Sequence, residues 1–267
     1  MINMIYGTAW KKENTASLVE EALLSGFKAI DTACQPKHYR EDLVGEGLEN
    51  AIKKGINRKD IFLQTKFTPI SGQDRNNMPY EASDNVLIQL EKSFYKSKQN
   101  LKTDFIDSYL IHSPFAPLED LLKVYKTMEE FVTSGEVGQI GISNCYDLNL
   151  LAYLYDTAKV KPSVIQNRFY SETQYDKEIR EFARQRGIVY QSFWSLTANP
   201  HLLKLTEIQT LAKNYKRTVP QIFYKFLNQI GITPLNGTTS KTHMIEDLDI
   251  KNFSLEEDEV NSILRYI

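Results

Sequence analysis

The chain has 267 residues, 42% of them apolar and 25% charged, and 32 Lys and Arg set against 34 Asp and Glu leave a formal charge of −2. That is the composition of an ordinary globular protein, which excludes a disordered chain and gives no general reason to expect nucleic acid or an anionic membrane as partner. Two cysteines, Cys34 and Cys145, exclude a disulfide framework and a four-cysteine zinc site.

Taken in chain order, the N-terminal stretch MINMIYGTAWKKEN has no long apolar run behind a basic start, so no signal peptide is expected. Ile2–Tyr6 reads as a first strand. Leu18, Ala22 and Leu23 then mark a helix that Gly26 stops, and Phe27–Ala33 reads as a second strand. Gly45-Glu46-Gly47 lies inside a helical pattern, which points to close helix packing rather than a phosphate-binding turn. Ile61–Phe67 is a third strand, followed by a helix with Val86, Leu87, Leu90 and Phe94. Phe105–His112 is a fourth strand. A helix opens at Pro117 and carries Leu118, Leu121, Leu122, Tyr125 and Met128. Val137–Ser143 is a fifth strand, and Asp147 caps a helix that buries Leu148, Leu151 and Tyr155. Ser163–Phe169 is a sixth strand, before a helix with Ile179, Phe182 and Ala183 that ends at Gly187. Ile188–Trp194 and Ile230–Pro234 are the seventh and eighth strands. Ser254 and Glu257 have capping-box spacing at the start of a last helix with Val260, Ile263 and Leu264.

Most of these strands are continuous apolar runs, as strands buried on both faces should be. Eight strand–helix units without a Pro/Gly/Ser linker predict one (β/α)8 barrel, with residues 1–267 as a single domain. An open doubly wound sheet is the alternative, and it would carry a glycine-rich first turn. The longest uncharged stretch, Gly187 to Leu203, is broken by Gln191, Ser192, Ser195, Asn199 and Pro200, so no membrane span is expected and the cytoplasm is the expected location.

Function in a barrel gathers at the C-terminal ends of the strands. There the second strand carries Asp31, the third Lys66, the fourth His112, the fifth Ser143 and Asn144, and the sixth Gln166. Asp31 and Lys66, buried together, would have to pair. The histidines His38, His112, His201 and His243 show no metal-ligand spacing, and no serine-hydrolase elbow is present, so neither a metal nor an acyl-transfer triad is expected. Arg168 and Lys241 are candidates for holding a phosphate.

The segments GFKAIDTACQPKHYREDLVGEGL, LQTKF, DFIDSYLIHSP, SGEVGQIGISN and PLNGTTSKTHMIEDL, in this order, resemble the aldo-keto reductases, which are NAD(P)H-dependent carbonyl reductases on a (β/α)8 barrel. The resemblance runs from Gly7-Thr8 to the end of the chain. It implies a catalytic tetrad of Asp31, Tyr39, Lys66 and His112. The stretch QPKH reads as a short insertion that carries the tyrosine outward to Tyr39. In this scheme Tyr39 is the general acid, the Lys66 ammonium lowers its pKa, Asp31 holds Lys66, and His112 orients the carbonyl.

The resemblance also implies a cofactor site. Ser143, Asn144 and Gln166 face the nicotinamide carboxamide, Phe193 stacks on the ring, and Thr8 lies beside it. Leu196 belongs to a loop, Ser195 to Pro200, that approaches the pyrophosphate. Thr238, Thr239, Ser240 and Lys241, with His243 and Asp247 in the turn beyond, form the adenosine-phosphate site. NADPH is expected and NADH is open, because Leu235 and Asn236 follow Pro234 where many members carry a lysine. Trp10, His38, Phe67 and Trp194 are the expected walls for a small carbonyl substrate. Only six residues precede Gly7, and the chain ends soon after the last helix, from which an open, shallow pocket with broad tolerance is expected. A monomer is the family habit. Two other readings are a cofactor-binding regulatory homologue with little turnover, and a lyase or isomerase using Lys66 as a Schiff-base nucleophile.

Overall fold

The computed structural model describes residues 2–267. Among them, eight parallel strands close into a barrel in chain order: β1 Ile5–Gly7, β2 Ala29–Asp31, β3 Phe62–Phe67, β4 Ile106–Ile111, β5 Val137–Ser143, β6 Val164–Arg168, β7 Val189–Phe193 and β8 Ile232–Asn236. The ring closes where β1 pairs with β8, Ile5 opposite Leu235 and Tyr6 opposite Asn236. The (β/α)8 barrel expected from the sequence is therefore the fold, and the open sheet is not.

Helices α1 Thr15–Ser25, α2 Glu41–Lys53, α3 Val86–Leu101, α4 Leu118–Thr133, α5 Leu148–Thr157 and α6 Lys177–Arg186 connect successive strands. Between β7 and β8 run α7 Pro200–Leu203, α8 Thr206–Tyr215 and α9 Val219–Gln229, and α10 Lys241–Leu248 and α11 Glu257–Leu264 follow β8. Glycine stops α1: Gly26 sits at φ 113°, where a side chain would be strained, and its amide bonds back to the last turn. Asp147 caps α5 as expected, accepting from the amides of Asn149 and Leu150. At α11 the expectation needs correcting. The capping box is Glu256 with Glu259, two residues beyond Ser254 and Glu257, so the acidic run itself supplies the cap.

Side chains alternate across each strand, and that parity decides what reaches the barrel axis. In β3, Gln64 and Lys66 bond to groups inside the ring, whereas Thr65 donates outward to Glu41 of α2 at 2.5 Å. In β6, Gln166 faces inward and Asn167 outward, to Asp176 at 2.7 Å. The barrel has a cavity at each end. The one at the N-terminal ends of the strands, of about 860 Å³, is lined by Phe62, Val164, Val189 and Ile232. The C-terminal one holds the site.

Candidate active site

Asp31 ends β2, and its neighbour across the register is Gln64 of β3. Lys66, two residues further on the same face, is 1% exposed. Its Nζ donates to both Asp31 oxygens at 2.7 Å and to the Thr32 carbonyl at 2.9 Å, so all three of its protons are placed. Burial pulls the Lys66 pKa down and the Asp31 carboxylate opposes that shift. Two amides complete the shell of Asp31 Oδ1: Gln64 Nε2 at 2.8 Å and Gln166 Nε2 at 3.0 Å. Both also donate to Gln191 Oε1, at 2.7 and 2.9 Å. Neither Gln64 nor Gln191 was expected from the sequence. The available signal was a glutamine at an inward position of an otherwise apolar strand.

Tyr39 and His112 stand above this pair. Their rings meet edge to face with centroids 5.9 Å apart, and Lys66 Nζ lies 5.7 Å from the Tyr39 ring centroid. The expected lowering of the tyrosine pKa is not found. Burial, then the nearby Asp31 charge, raises it. The phenol is thus protonated near neutrality, which is the form a proton donor needs. His112 Nδ1 bonds to Thr68 Oγ1 at 2.7 Å. Burial, then the Lys66 charge, pushes its pKa down to about 3, so the ring is neutral. A hydroxyl that donates to Nδ1 leaves the ring proton on Nε2, the tautomer that can donate to a carbonyl oxygen. Thr68, just past β3, is a third residue not expected from the sequence.

These groups open into a cavity of about 1170 Å³. Of the expected residues, Thr8, Trp10, Asp31, His38, Tyr39, His112, Ser143, Asn144, Gln166, Phe193, Trp194, Leu196, Thr238, His243 and Asp247 line it, with Lys66 beneath. Four do not line it. Phe67 is one step out of phase with Lys66, so it points to the helices and packs on Tyr80 and Phe115. Lys241 turns away to an ion pair with Glu21 at 2.6 Å. Ser240 is spent as the cap of α10, bonding the His243 amide, and Thr239 also lies off the cavity. Trp10 and Trp194, at 56% and 50% exposure, form the outer walls, and the His38 ring packs at a tilt against Trp10 with centroids 4.0 Å apart. Three non-glycine residues around the cavity sit at positive φ: Trp10 at 64°, Asn144 at 53° and Trp194 at 56°. Such strain gathers at functional sites.

A dinucleotide fits the donors left over. Ser195, Leu196 and Thr197 line the cavity, and their backbone amides have no acceptor among the described residues, which leaves donors for a pyrophosphate. Both Gln166 Nε2 protons are used, which leaves its Oε1 for a carboxamide. The Ser143 hydroxyl is bonded to the Gln166 carbonyl at 2.7 Å, and Asn144 Nδ2 to the His112 carbonyl at 2.8 Å, so these two brace the site as well as line it.

A strand-end lysine–carboxylate pair, a protonated phenol and a neutral imidazole over one cavity make a site for polarising and protonating a carbonyl. The chain belongs to the aldo/keto reductase family, whose model matches residues 3–266. It is thus an oxidoreductase of carbonyl groups. It is 28% identical to the NAD(P)H-dependent D-xylose reductase of Pachysolen tannophilus, over 96% of this chain and 87% of that one. It is 27% identical to the glyoxal reductase of Bacillus subtilis, over 92% and 80%. The crystal structure of an aldo-keto reductase from a Medee basin deep-sea metagenome library superposes with a TM-score of 0.84 at 26% identity, covering 99% of this chain and 91% of that one.

Proposed function

We propose that this protein reduces aldehydes and some ketones to alcohols with a nicotinamide coenzyme, acting as a monomeric single-domain barrel in the cytoplasm. The observation that carries the reading is the placement of Tyr39 and His112 over the Asp31–Lys66 pair at the floor of one cavity. The relatives' names, a xylose reductase and a glyoxal reductase, agree with a small polar carbonyl as substrate. No helix among the described residues is long and apolar enough to cross a membrane.

A bound coenzyme supplies the hydride to the carbonyl carbon. His112 Nε2–H holds the carbonyl oxygen and favours the negative charge that develops there. Tyr39 gives its phenolic proton to that oxygen. The Lys66 ammonium beneath the ring then favours the phenolate left behind, and Asp31 keeps Lys66 in place. Phe193 offers a face for the nicotinamide, and Trp10, His38 and Trp194 wall the substrate. Both coenzymes are accepted in this reading. Lys241 is held by Glu21, and the adenosine end of the cavity carries Lys11, bonded to the Gly237 carbonyl, and His243 beside Glu246 and Asp247.

The test is loss of coenzyme absorbance with an aromatic aldehyde, for the wild type and Tyr39→Phe, with NADPH and with NADH. Loss of about 10²-fold or more in kcat with coenzyme binding retained is expected, the scale of one general acid. An active Tyr39→Phe enzyme would remove Tyr39 from its role. A wild type that binds coenzyme without turnover would favour the regulatory homologue.

A further inference from the structure

We propose that Arg168 is an anion-binding residue of the catalytic cavity, seated to receive a carboxylate or phosphate oxygen of a bound reactant. The proposal rests on the reductase reading. It begins with strand parity. Gln166 faces the cavity and Asp31, and Arg168 is the next residue on that face, at the C-terminal end of β6 where the barrel opens.

The guanidinium is held as a plate. Its carbon lies 4.3 Å from the Trp194 ring centroid and 5.0 Å from that of Tyr170. The Arg168 amide donates to Tyr146 Oη at 3.0 Å, which fixes the strand end beneath it. Trp194 keeps a left-handed backbone at φ 56° to present its ring there.

What the guanidinium lacks is an acceptor. Arg40, Arg58, Arg184 and Arg217 each hold a carboxylate. Among the described residues no carboxylate lies within ion-pair distance of Arg168, its side chain donates no hydrogen bond, and its Nε is buried without a partner. A guanidinium offers five N–H donors in a planar fork shaped for a carboxylate or phosphate. The unfilled amides of Ser195, Leu196 and Thr197 follow directly on Trp194, so a second set of donors borders the same space. A stacked, charged, unpaired fork beside free amides in a reaction cavity is a half-made anion site whose other half arrives with a reactant. The oxygen belongs either to a substrate carboxylate or to the coenzyme pyrophosphate.

The experiment compares the wild type with Arg168→Gln and Arg168→Lys on benzaldehyde and 4-carboxybenzaldehyde, which differ only in the carboxylate. Coenzyme Kd is followed separately by quenching of tryptophan emission, and folding by Tm. If the anion is the substrate's, Arg168→Gln lowers kcat/KM for the carboxylated aldehyde about 10- to 100-fold, the worth of one charge-assisted bond. Benzaldehyde and the coenzyme Kd then stay within about twofold. If it is the coenzyme's, Kd rises about 10- to 100-fold and both aldehydes fall together. Lysine, which keeps the charge without the fork, restores part of either loss. Unchanged Kd and unchanged discrimination between the two aldehydes overturns the proposal. So does a loss of Tm that the lysine variant shares, since that marks a purely structural clamp. A wild type that turns over neither aldehyde refutes the reductase reading instead, and Arg168 is then decided by the Kd of the coenzyme and of 4-carboxybenzaldehyde, both followed by tryptophan quenching: if Arg168→Gln weakens neither, the proposal is overturned.

Discussion

His112 and Asp247 line one cavity and are moved in opposite directions by the same cause. Burial favours the uncharged form of each, so the His112 pKa falls to about 3 and the Asp247 pKa rises to about 6. Their effects on stability oppose each other. Unfolded His112 binds its proton below about 6.5 while the native ring does not, so His112 makes stability climb as pH rises from about 3 to about 6.5. Native Asp247 keeps its proton up to about 6, whereas the unfolded group loses it near 3.8. Raising the pH across that interval therefore removes stability through Asp247, and the whole penalty is present at neutrality. Asp247→Asn keeps a carbonyl oxygen for the bond from Asn236 Nδ2, now 2.5 Å to the carboxylate, and cannot ionise. The variant should be more stable than the wild type at pH 7 by about 1–3 kcal/mol and no more stable near pH 4, with a steeper rise between. Urea unfolding at pH 4, 5, 6 and 7 measures this. A stability difference that does not change with pH would show that the carboxylate is not the source.

Helix α2 approaches its neighbours through Gly45 and Gly47. A Cβ on Gly45 would lie 2.0 Å from the Asn100 carbonyl oxygen of α3, and one on Gly47 2.6 Å from the Ala16 carbonyl oxygen of α1. Both obstacles are backbone, which cannot rotate aside. Gly45→Ala should therefore destabilise the protein by about 1–3 kcal/mol or more, although alanine is the better helix former. An alanine variant with unchanged Tm would mean that α3 can shift to admit the methyl group. This packing was legible, because two glycines inside a helical pattern have few other uses. Local signals such as Gly26, Asp147 and Gly187 were legible for the same reason: each acts within its own turn. Beyond the loop Ser195 to Pro200, no helix was expected before Ile230, where α7, α8 and α9 lie. The last of these, α9, buries Ile222, Phe223, Tyr224, Phe226 and Leu227, five of six successive positions, so the apolar period that marks a surface helix is blurred. The Thr218–Gln221 capping box was the remaining clue. Strand β8 was placed early, at Ile230–Pro234, because Ile230 belongs to the end of α9 and Leu235 and Asn236 still pair with β1.

At the scale of the barrel, what was legible ends where register begins. Asp31, Lys66 and His112 could be read because each stands at the end of an apolar strand, where function gathers, and Gln166 because it is a polar residue within one. Gln64 and Gln191 lie deeper, and their partner is on another strand 127 positions away, which no local pattern records. They join the two ends of the molecule. Gln191 borders the cavity at the N-terminal mouth, and through Gln64 and Gln166 it reaches the carboxylate that holds Lys66. The Gln64–Gln191 contact is reciprocal, with Nε2 to Oε1 distances of 2.7 and 3.2 Å. Replacing either glutamine by leucine, of similar volume, strands the buried amide of the other and should cost about 1–3 kcal/mol. Replacing both removes the mutual stranding of Gln64 and Gln191 and leaves only the Gln166 Nε2 proton without its Gln191 acceptor, so the double variant should cost less than the two single losses added, by about 1–2 kcal/mol. Activity should divide differently. Gln64→Leu deprives Asp31 of one donor, whereas Gln191→Leu leaves both glutamine donors on it. Turnover should thus fall in Gln64→Leu and in the double variant, and fall less in Gln191→Leu. Strictly additive stabilities would show that the amides are not coupled. Equal turnover in the two single variants would show that the layer supports the barrel without positioning the Asp31–Lys66 pair.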